Sequence, residues 1–267
     1  MKLRIEHHTT YSYSWPVIYS IQHIRLTPFT LPNQRVLKWE ISAPTKATHS
    51  HDHFGNKVTH FTVNQSHQSL KVASRGEVEL TPLDEGYLHP LNDPINPLVF
   101  SGTTPLTVYN PEMAQFSSFV ADSHIPFETR MLALANAVAD RVQYKTGSTT
   151  VSHTATDAFE NGEGVCQDHA HLMLACLRAH GFCARYVSGY RFSEHAPEHA
   201  SHAWVDVYNP DKQAWLSVDA THRCLADEYH CRLAVARDFT GASPVRGVRS
   251  GGGEEKMKVS VQIDLIP

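Results

Sequence analysis

The chain is short of the features that would place it in several large functional classes. It has no long apolar run: nothing approaches the roughly 18 uninterrupted apolar residues of a membrane helix, and the opening MKLRIEHHTT lacks the apolar stretch of a signal peptide. It has no excess of positive charge, with 23 Lys and Arg against 27 Asp and Glu, so a nucleic-acid surface is not expected, and no basic run suggests a lipid-facing patch. Cysteines are few and odd in number, five in 267 residues, all C-terminal to residue 165. That is no disulfide framework and suits a reducing, cytoplasmic setting. Cys-x-x-Cys, His-Glu-x-x-His, calcium-loop, phosphate-loop and dinucleotide patterns are missing, so no metal, nucleotide or other cofactor is implied.

What is present is globular: 41% hydrophobic and 19% charged residues, enough for a sizeable core. Up to about residue 100 the apolar residues come in short β-type runs. Leu3 and Ile5 alternate with polar neighbours, then come Val17, Tyr19 and Ile21, residues 36–41, Phe61 and Val63 after Phe54-Gly55-Asn56, and residues 72–80. Pro, Gly and Asn separate them, which predicts an antiparallel sandwich or barrel. Residues 81–105 carry five prolines and read as an irregular connection between two units, 1–100 and 101–267.

The second unit begins with helix signals. Asn110-Pro111 is a start site, and Met131, Leu134, Val138 and Val142 give helical spacing over 127–142. Residues 154–159 suggest a short helix. A further helix runs from Cys166 to His180, apolar on more than one side and stopped by Gly181. Strands are predicted over 182–192, 202–208 and 214–219, the last two as a hairpin. Residues 238–255, with five glycines, read as a long loop, and the alternation of Met257, Val259, Val261, Ile263 and Leu265 as a half-buried strand. The fold class is therefore α+β.

Three segments carry chemistry. Gly162 and Gly164 precede Cys166 at a predicted helix start, where backbone N–H groups lack intrahelical partners and the helix end is positive. Both favour a thiolate, and the same N–H groups can stabilise an oxyanion. His202 opens a strand from which it can take the thiol proton and later protonate a leaving amine. Asp219 ends the neighbouring strand, where it can fix the imidazole tautomer. Structural readings stand beside these: a core thiol at Cys166, a satisfied buried histidine at 202, a strand-end carboxylate at 219. Nineteen histidines also raise a metal alternative, a zinc site from His195, His199 and Cys166.

These segments, Gly164-Val165-Cys166-Gln167-Asp168-His169-Ala170, His202-Ala203-Trp204-Val205 and Trp215-Leu216-Ser217-Val218-Asp219-Ala220-Thr221, resemble the three motifs of the transglutaminase-like superfamily. Tyr11-Ser12-Tyr13, the strand from Val17 after Pro16, and Phe54-Gly55-Asn56 resemble the β-rich N-terminal domain of its bacterial members. Arg237-Asp238-Phe239 and Pro244-Val245-Arg246-Gly247-Val248 also resemble that subfamily. The resemblance implies a β-sandwich-like N-terminal domain followed by a papain-like catalytic domain, with Cys166 as nucleophile, His202 as base and acid and Asp219 as orienter. It also implies Gly164 and Trp204, with Cys166, as cleft or oxyanion candidates, and Asp168 and His169 as supporting residues. Family members include cross-linking enzymes, peptidases, amidases and inactive proteins. The expected reaction is acyl transfer at a peptide or side-chain amide, with water as default acceptor. Protein cross-linking, or a non-catalytic binding module, is the alternative. A small peptide or γ-glutamyl amide is the implied substrate. No membrane or nucleic-acid partner is implied, and a homodimer is open.

Overall fold

The alternation at Leu3 and Ile5 belongs to a strand far longer than the sequence suggests. In the computed structural model, which describes residues 1–89, 95–194 and 201–267, β1 runs from Lys2 to Ile24 and is the spine of the first sheet. Along one of its edges lie β4 (Lys57–Val63) and β5 (His67–Leu80), opposite its second and first halves respectively. Outside them are β3 (Thr48–His51) on β4 and β2 (Gln34–Ser42) on β5. The sequence breaks this spine into separate runs because Pro16 interrupts the pattern. The structure keeps it as one strand with a register shift between Ser12 and Val17. At that break the two halves of the sheet turn toward each other, sharing one core of Leu3, Ile5, Val17, Ile24, Phe61, Leu70 and Val78.

The other edge of β1 is covered by the end of the chain. Residues 238–255 are not the long loop expected. They form α5 (Phe239–Ala242) and β14 (Val245–Gly251), and β14 pairs with residues 17–24. Next, β15 (Glu255–Ile266) pairs with residues 2–13. The strand at 245–251 is invisible to periodicity because its pairing partner lies more than 220 positions away and its residues do not alternate in polarity. Three of the five glycines sit together in the turn, Gly251, Gly252 and Gly253, all at positive φ. A Cβ at Gly253 would lie 2.4 Å from the Ser14 hydroxyl and from the Trp15 ring, so the turn fits only without side chains. Residues 245–266, which the sequence assigns to the unit 101–267, thus complete the sheet of the unit 1–100. In β15 only Val261 and Ile263 are buried; Met257, Val259 and Leu265 stay exposed.

The second sheet has the order β12-β11-β10-β9-β13, with β6 (Tyr87–Leu88) also on β11. Its members are β9 (Ala184–Arg191), β10 (Ser201–Asn209), β11 (Ala214–Asp219), β12 (Cys224–Leu225) and β13 (His230–Ala236). The helices are α1 (Pro111–Phe116), α2 (Phe127–Arg141), α3 (Ala155–Asn161) and α4 (Cys166–Ala179). Two short parallel strands, β7 (Gln143–Tyr144) and β8 (Glu163–Gly164), lie beside the head of α4. Helix α4 is buried almost all round, from Asp168 to Arg178, as its lack of a polar face requires. Asn110 caps α1 by accepting from the Met113 amide at 2.9 Å.

Buried polar groups fix the two sheets together. Tyr190 of β9 is hydrogen-bonded to His7 of β1 at 2.9 Å, and the Gln34 amide donates to the Arg232 carbonyl at 2.8 Å. Within the second sheet Asp206 accepts from Arg185 at 2.8 Å, from Arg232 at 2.6 and 2.9 Å and from Ser217 at 2.7 Å. The Arg185 guanidinium lies 4.1 Å from the Trp215 ring. Among the described residues no helix is long and apolar enough to cross a membrane. Pro90 and Pro94 of the connecting segment, and His195 and His199 of the metal alternative, lie outside the described residues.

Candidate active site

Cys166 is the first residue of α4, half-buried, at the point where β8 turns into the helix. The amides of Asp168 and His169 donate to the Val165 carbonyl at 2.9 and 3.1 Å. Among the described residues that leaves the Cys166 and Gln167 amides as the free donors of the first turn. The turn is held by Asp168, whose carboxylate accepts from the Val165 amide and the Thr149 hydroxyl, both at 2.8 Å, and pairs with His153 Nδ1 at 2.8 Å. Gly164 is dictated by this arrangement: a Cβ there would sit 2.6 Å from Asp168 Cβ. His169 spans the other side. Its Nε2–H donates to the Val142 carbonyl at 2.8 Å, so Nδ1 accepts from the Thr221 hydroxyl at 3.0 Å. Burial pushes its pKa down, and it stays neutral.

His202 enters from β10. The ladder pairs Val205 with Val218, so Asp219 lies one step past the last pair and reaches His202 Nε2 at 2.7 Å. With Nε2–H given to Asp219, Nδ1 is the nitrogen left for the Cys166 sulfur. That sulfur lies 4.0 Å from the carbonyl of Ser201, the residue before His202. The structure therefore brings Cys166, His202 and Asp219 into one site. Burial alone would lower the His202 pKa, but the charge and hydrogen bond of Asp219, then the Cys166 sulfur, outweigh it and the pKa is raised. Asp219 is fully buried; desolvation opposes its charge, yet the surrounding imidazoles hold its carboxyl well below the usual range.

Two of those imidazoles have no motif to announce them. His222 Nδ1 meets Asp219 Oδ2 at 2.8 Å, and the His222 amide donates to Oδ1 at 3.1 Å. His230 Nε2 meets the same Oδ2 at 3.1 Å, while its Nδ1 meets Asp227 at 2.7 Å. Lying between two carboxylates, His230 has a raised pKa despite its burial. The signal for His222 is only its place three residues after Asp219, and His230 comes from a different strand. Tyr144 of β7 is a third omission from the sequence reading. Its ring meets that of His169 with centroids 6.3 Å apart, and its phenol pKa is raised by burial and then by the charge of the Cys166 sulfur.

Trp204 occupies a different position from the cleft or oxyanion role implied for it. It is 1% exposed, stacks behind His202 with centroids 6.0 Å apart, and meets the edge of His230 at 5.2 Å. Gly189 leaves room for it, since a Cβ there would lie 2.6 Å from the indole. Trp204 thus backs the imidazoles and does not line an open cleft. His202, Asp219 and His230 also place three candidate ligand atoms within 4.8 Å of one another, and they are the only such group among the described residues. The three atoms already meet through N–H to carboxylate hydrogen bonds, which a metal would have to displace. Burial pushes the other thiols up, Cys176 and Cys224 to about 12, and Cys183 and Cys231 in the same direction.

Residues 3–79 match the model of the bacterial transglutaminase-like N-terminal region, and residues 117–220 that of the transglutaminase-like superfamily. An uncharacterized protein of Mycobacterium tuberculosis is 30% identical over 294 residues, covering 100% of this chain and 93% of its own length. A 57-residue stretch, 21% of this chain, is 40% identical to 7% of the human peptide-N(4)-(N-acetyl-beta-glucosaminyl)asparagine amidase. Among solved structures, a candidate cysteine protease from Cytophaga hutchinsonii superposes with a TM-score of 0.78 at 20% identity, over 100% of this chain and 93% of that one. The sandwich-like first sheet and the papain-like second unit are thus a known pairing, and the chain belongs to the transglutaminase-like superfamily, with the bacterial N-terminal region at its start.

Proposed function

We propose that the protein is a thiol-dependent acyl-transfer enzyme acting on a peptide or side-chain amide, with water as acceptor. The observation that carries this reading is the 2.7 Å contact between His202 Nε2 and Asp219, which orients Nδ1 toward a cysteine at the head of a buried helix. In this reading the Cys166 sulfur attacks the amide carbon and the free first-turn amides hold the developing oxyanion. The His202 imidazolium gives its Nδ1 proton to the departing amine, leaving a thioester. Water then attacks, losing a proton to His202, and releases the acid and the free thiol. The amidase relative supports an amide as the bond attacked. Among the described residues nothing covers the head of α4 against water, so hydrolysis is proposed ahead of cross-linking. The proposed setting is the cytoplasm.

Native protein is assayed against γ-glutamyl and ordinary peptide amides, with and without a fluorescent primary amine. Acid release lost in Cys166→Ala and His202→Ala is expected; incorporation of the amine instead of acid release would make the protein a cross-linking enzyme. The pH profile tests the roles. Asp219 raises the His202 pKa, so activity that needs the imidazolium falls as pH rises through that value. In Asp219→Asn the alkaline limb moves to lower pH; a limb that stays in place would remove Asp219 from the role of orienter. Iodoacetamide labelling is expected to be fastest at Cys166 and slowed in His202→Ala. Labelling no faster than at Cys176 would remove the nucleophile and leave a binding module.

A further inference from the structure

Several sheet edges are protected against pairing with another chain. β2 carries a bulge between Val36 and Lys38, β3 is four residues long and β12 only two. β14 holds Arg246 and Arg249 and no acid, so two copies of it repel each other. β15 differs from all of these. It is 12 residues long and follows β1 without a register shift, from Glu255 opposite Tyr13 to Ile266 opposite Lys2. Among the described residues no strand lies on its other edge.

The side chains along this edge are uncovered on the face that belongs to the core. Met257, Val259 and Leu265 lie opposite Tyr11, Thr9 and Leu3. Those three residues of β1 are buried, whereas Met257, Val259 and Leu265 are 56%, 41% and 54% exposed. An apolar row beside an unpaired backbone edge marks an interaction surface. The opposite face names its occupant by charge. Lys256 and Lys258 stand near the start of the strand and Asp264 near its end. A parallel copy would set lysine against lysine, whereas an antiparallel copy sets lysine against aspartate.

We infer that β15 is a homodimer surface, to which a second copy of this chain adds its own β15 antiparallel, across a two-fold axis at Val261. Directly opposed residues then share a face. Met257 meets the partner's Leu265, Val259 meets the partner's Ile263, and Lys258 meets the partner's Asp264, each twice by symmetry. An axis at Ser260 keeps a pair between Lys256 and the partner's Asp264 but sets Glu255 against the partner's Leu265. An axis at Gln262 sets Lys258 against the partner's Ile266. Of the three, the axis at Val261 alone covers every exposed apolar side chain with another and pairs the charges. The inference is independent of the acyl-transfer reading but bears on the same site. Met257 and Val259 line a cavity of about 480 Å³ that reaches Ser201, whose carbonyl is 4.0 Å from Cys166 Sγ. The partner's Ile263 and Leu265 extend the wall of that space.

Sedimentation equilibrium on the full chain reads the mass, 29.9 kDa for one copy and twice that for the dimer. The wild type is expected to be a dimer that dissociates on dilution. Lys258→Asp and Asp264→Lys each set like charges opposite one another twice, and each is expected to weaken association about tenfold or more at low salt. The double variant Lys258→Asp/Asp264→Lys exchanges the charges across the axis and is expected to recover wild-type association to within about threefold. It carries both substitutions, so its recovery also shows that the fold accepts each. Hydrogen exchange on the wild type needs no variant: residues 256–266 are expected to exchange more slowly in the dimer than in the diluted monomer. A chain that is monomeric at every concentration overturns the inference. So does a dimer indifferent to both single reversals, one that the double variant fails to restore, or exchange in β15 that is the same in monomer and dimer.

Discussion

His171 offers a measurable titration inside the core. It lies in the middle of α4, fully buried, with Nε2 accepting from the Phe239 amide at 3.2 Å and its ring 5.3 Å from that of Tyr186. Burial lowers its pKa from 6.5 to about 4. A depressed histidine contributes stability that is present above the unfolded pKa and disappears as pH falls toward the folded one. Below pH 6.5 the unfolded chain takes up a proton that the native core refuses. With values of 6.5 and about 4, the loss between pH 7 and pH 5 is about 2 kcal/mol, and by pH 4 about 3 kcal/mol. In His171→Gln the amide oxygen replaces Nε2 as acceptor and nothing titrates at that position. The variant is expected to be less stable at pH 7, because its packing against Tyr186 is poorer. Between pH 7 and pH 5 it should lose about 2 kcal/mol less than the native protein, measured by urea unfolding at both values. His7 and every carboxylate titrate equally in the two proteins and cancel. An equal loss in both, within about 0.5 kcal/mol, would refute the claim that the native core holds His171 neutral.

Two further outcomes follow from close contacts. Asp206→Ala leaves Arg185 and Arg232 buried without their carboxylate, and unfolding experiments are expected to show a loss of about 3–5 kcal/mol, typical of breaking a buried pair on one side. Gly164→Ala forces a Cβ to within 2.6 Å of Asp168, a helical side chain with little room to retreat. A loss of about 1–3 kcal/mol and slower alkylation of Cys166 are expected, whereas native alkylation kinetics would show that Asp168 does not hold the first turn in place.

The parts of the molecule that were legible in the sequence are those whose determinants are local. Cys166 is marked by the glycines before it and the buried helix after it. The strands holding His202 and Asp219 are marked by a hairpin turn, which keeps them close whatever the rest of the chain does. His230 has no such mark: it reaches Asp219 because β13 pairs with β9, a long-range choice that leaves no spacing to read. The same holds for β14, whose glycines look like a loop until β1 supplies its hydrogen bonds. Trp204 shows a different limit. Its neighbour His202 faces the nucleophile, but only the missing side chain at Gly189, on the adjacent strand, determines that the indole lies behind the imidazole.

The pairing of β14 and β15 with β1 has a consequence for synthesis. Lys2 lies opposite Ile266, so residues 2–13 wait for more than 200 later residues before their strand gains its second neighbour. A nascent chain with residues 1–240 outside the ribosome has β4 and β5 available on one edge of β1 and a bare row of amides and carbonyls on the other, open to pairing with another chain. In the folded chain residues 2 and 266 lie side by side. A short bridge between residues 267 and 1, with new ends placed in the exposed turn at 64–66, would let β14 and β15 emerge ahead of β1 and shorten that wait.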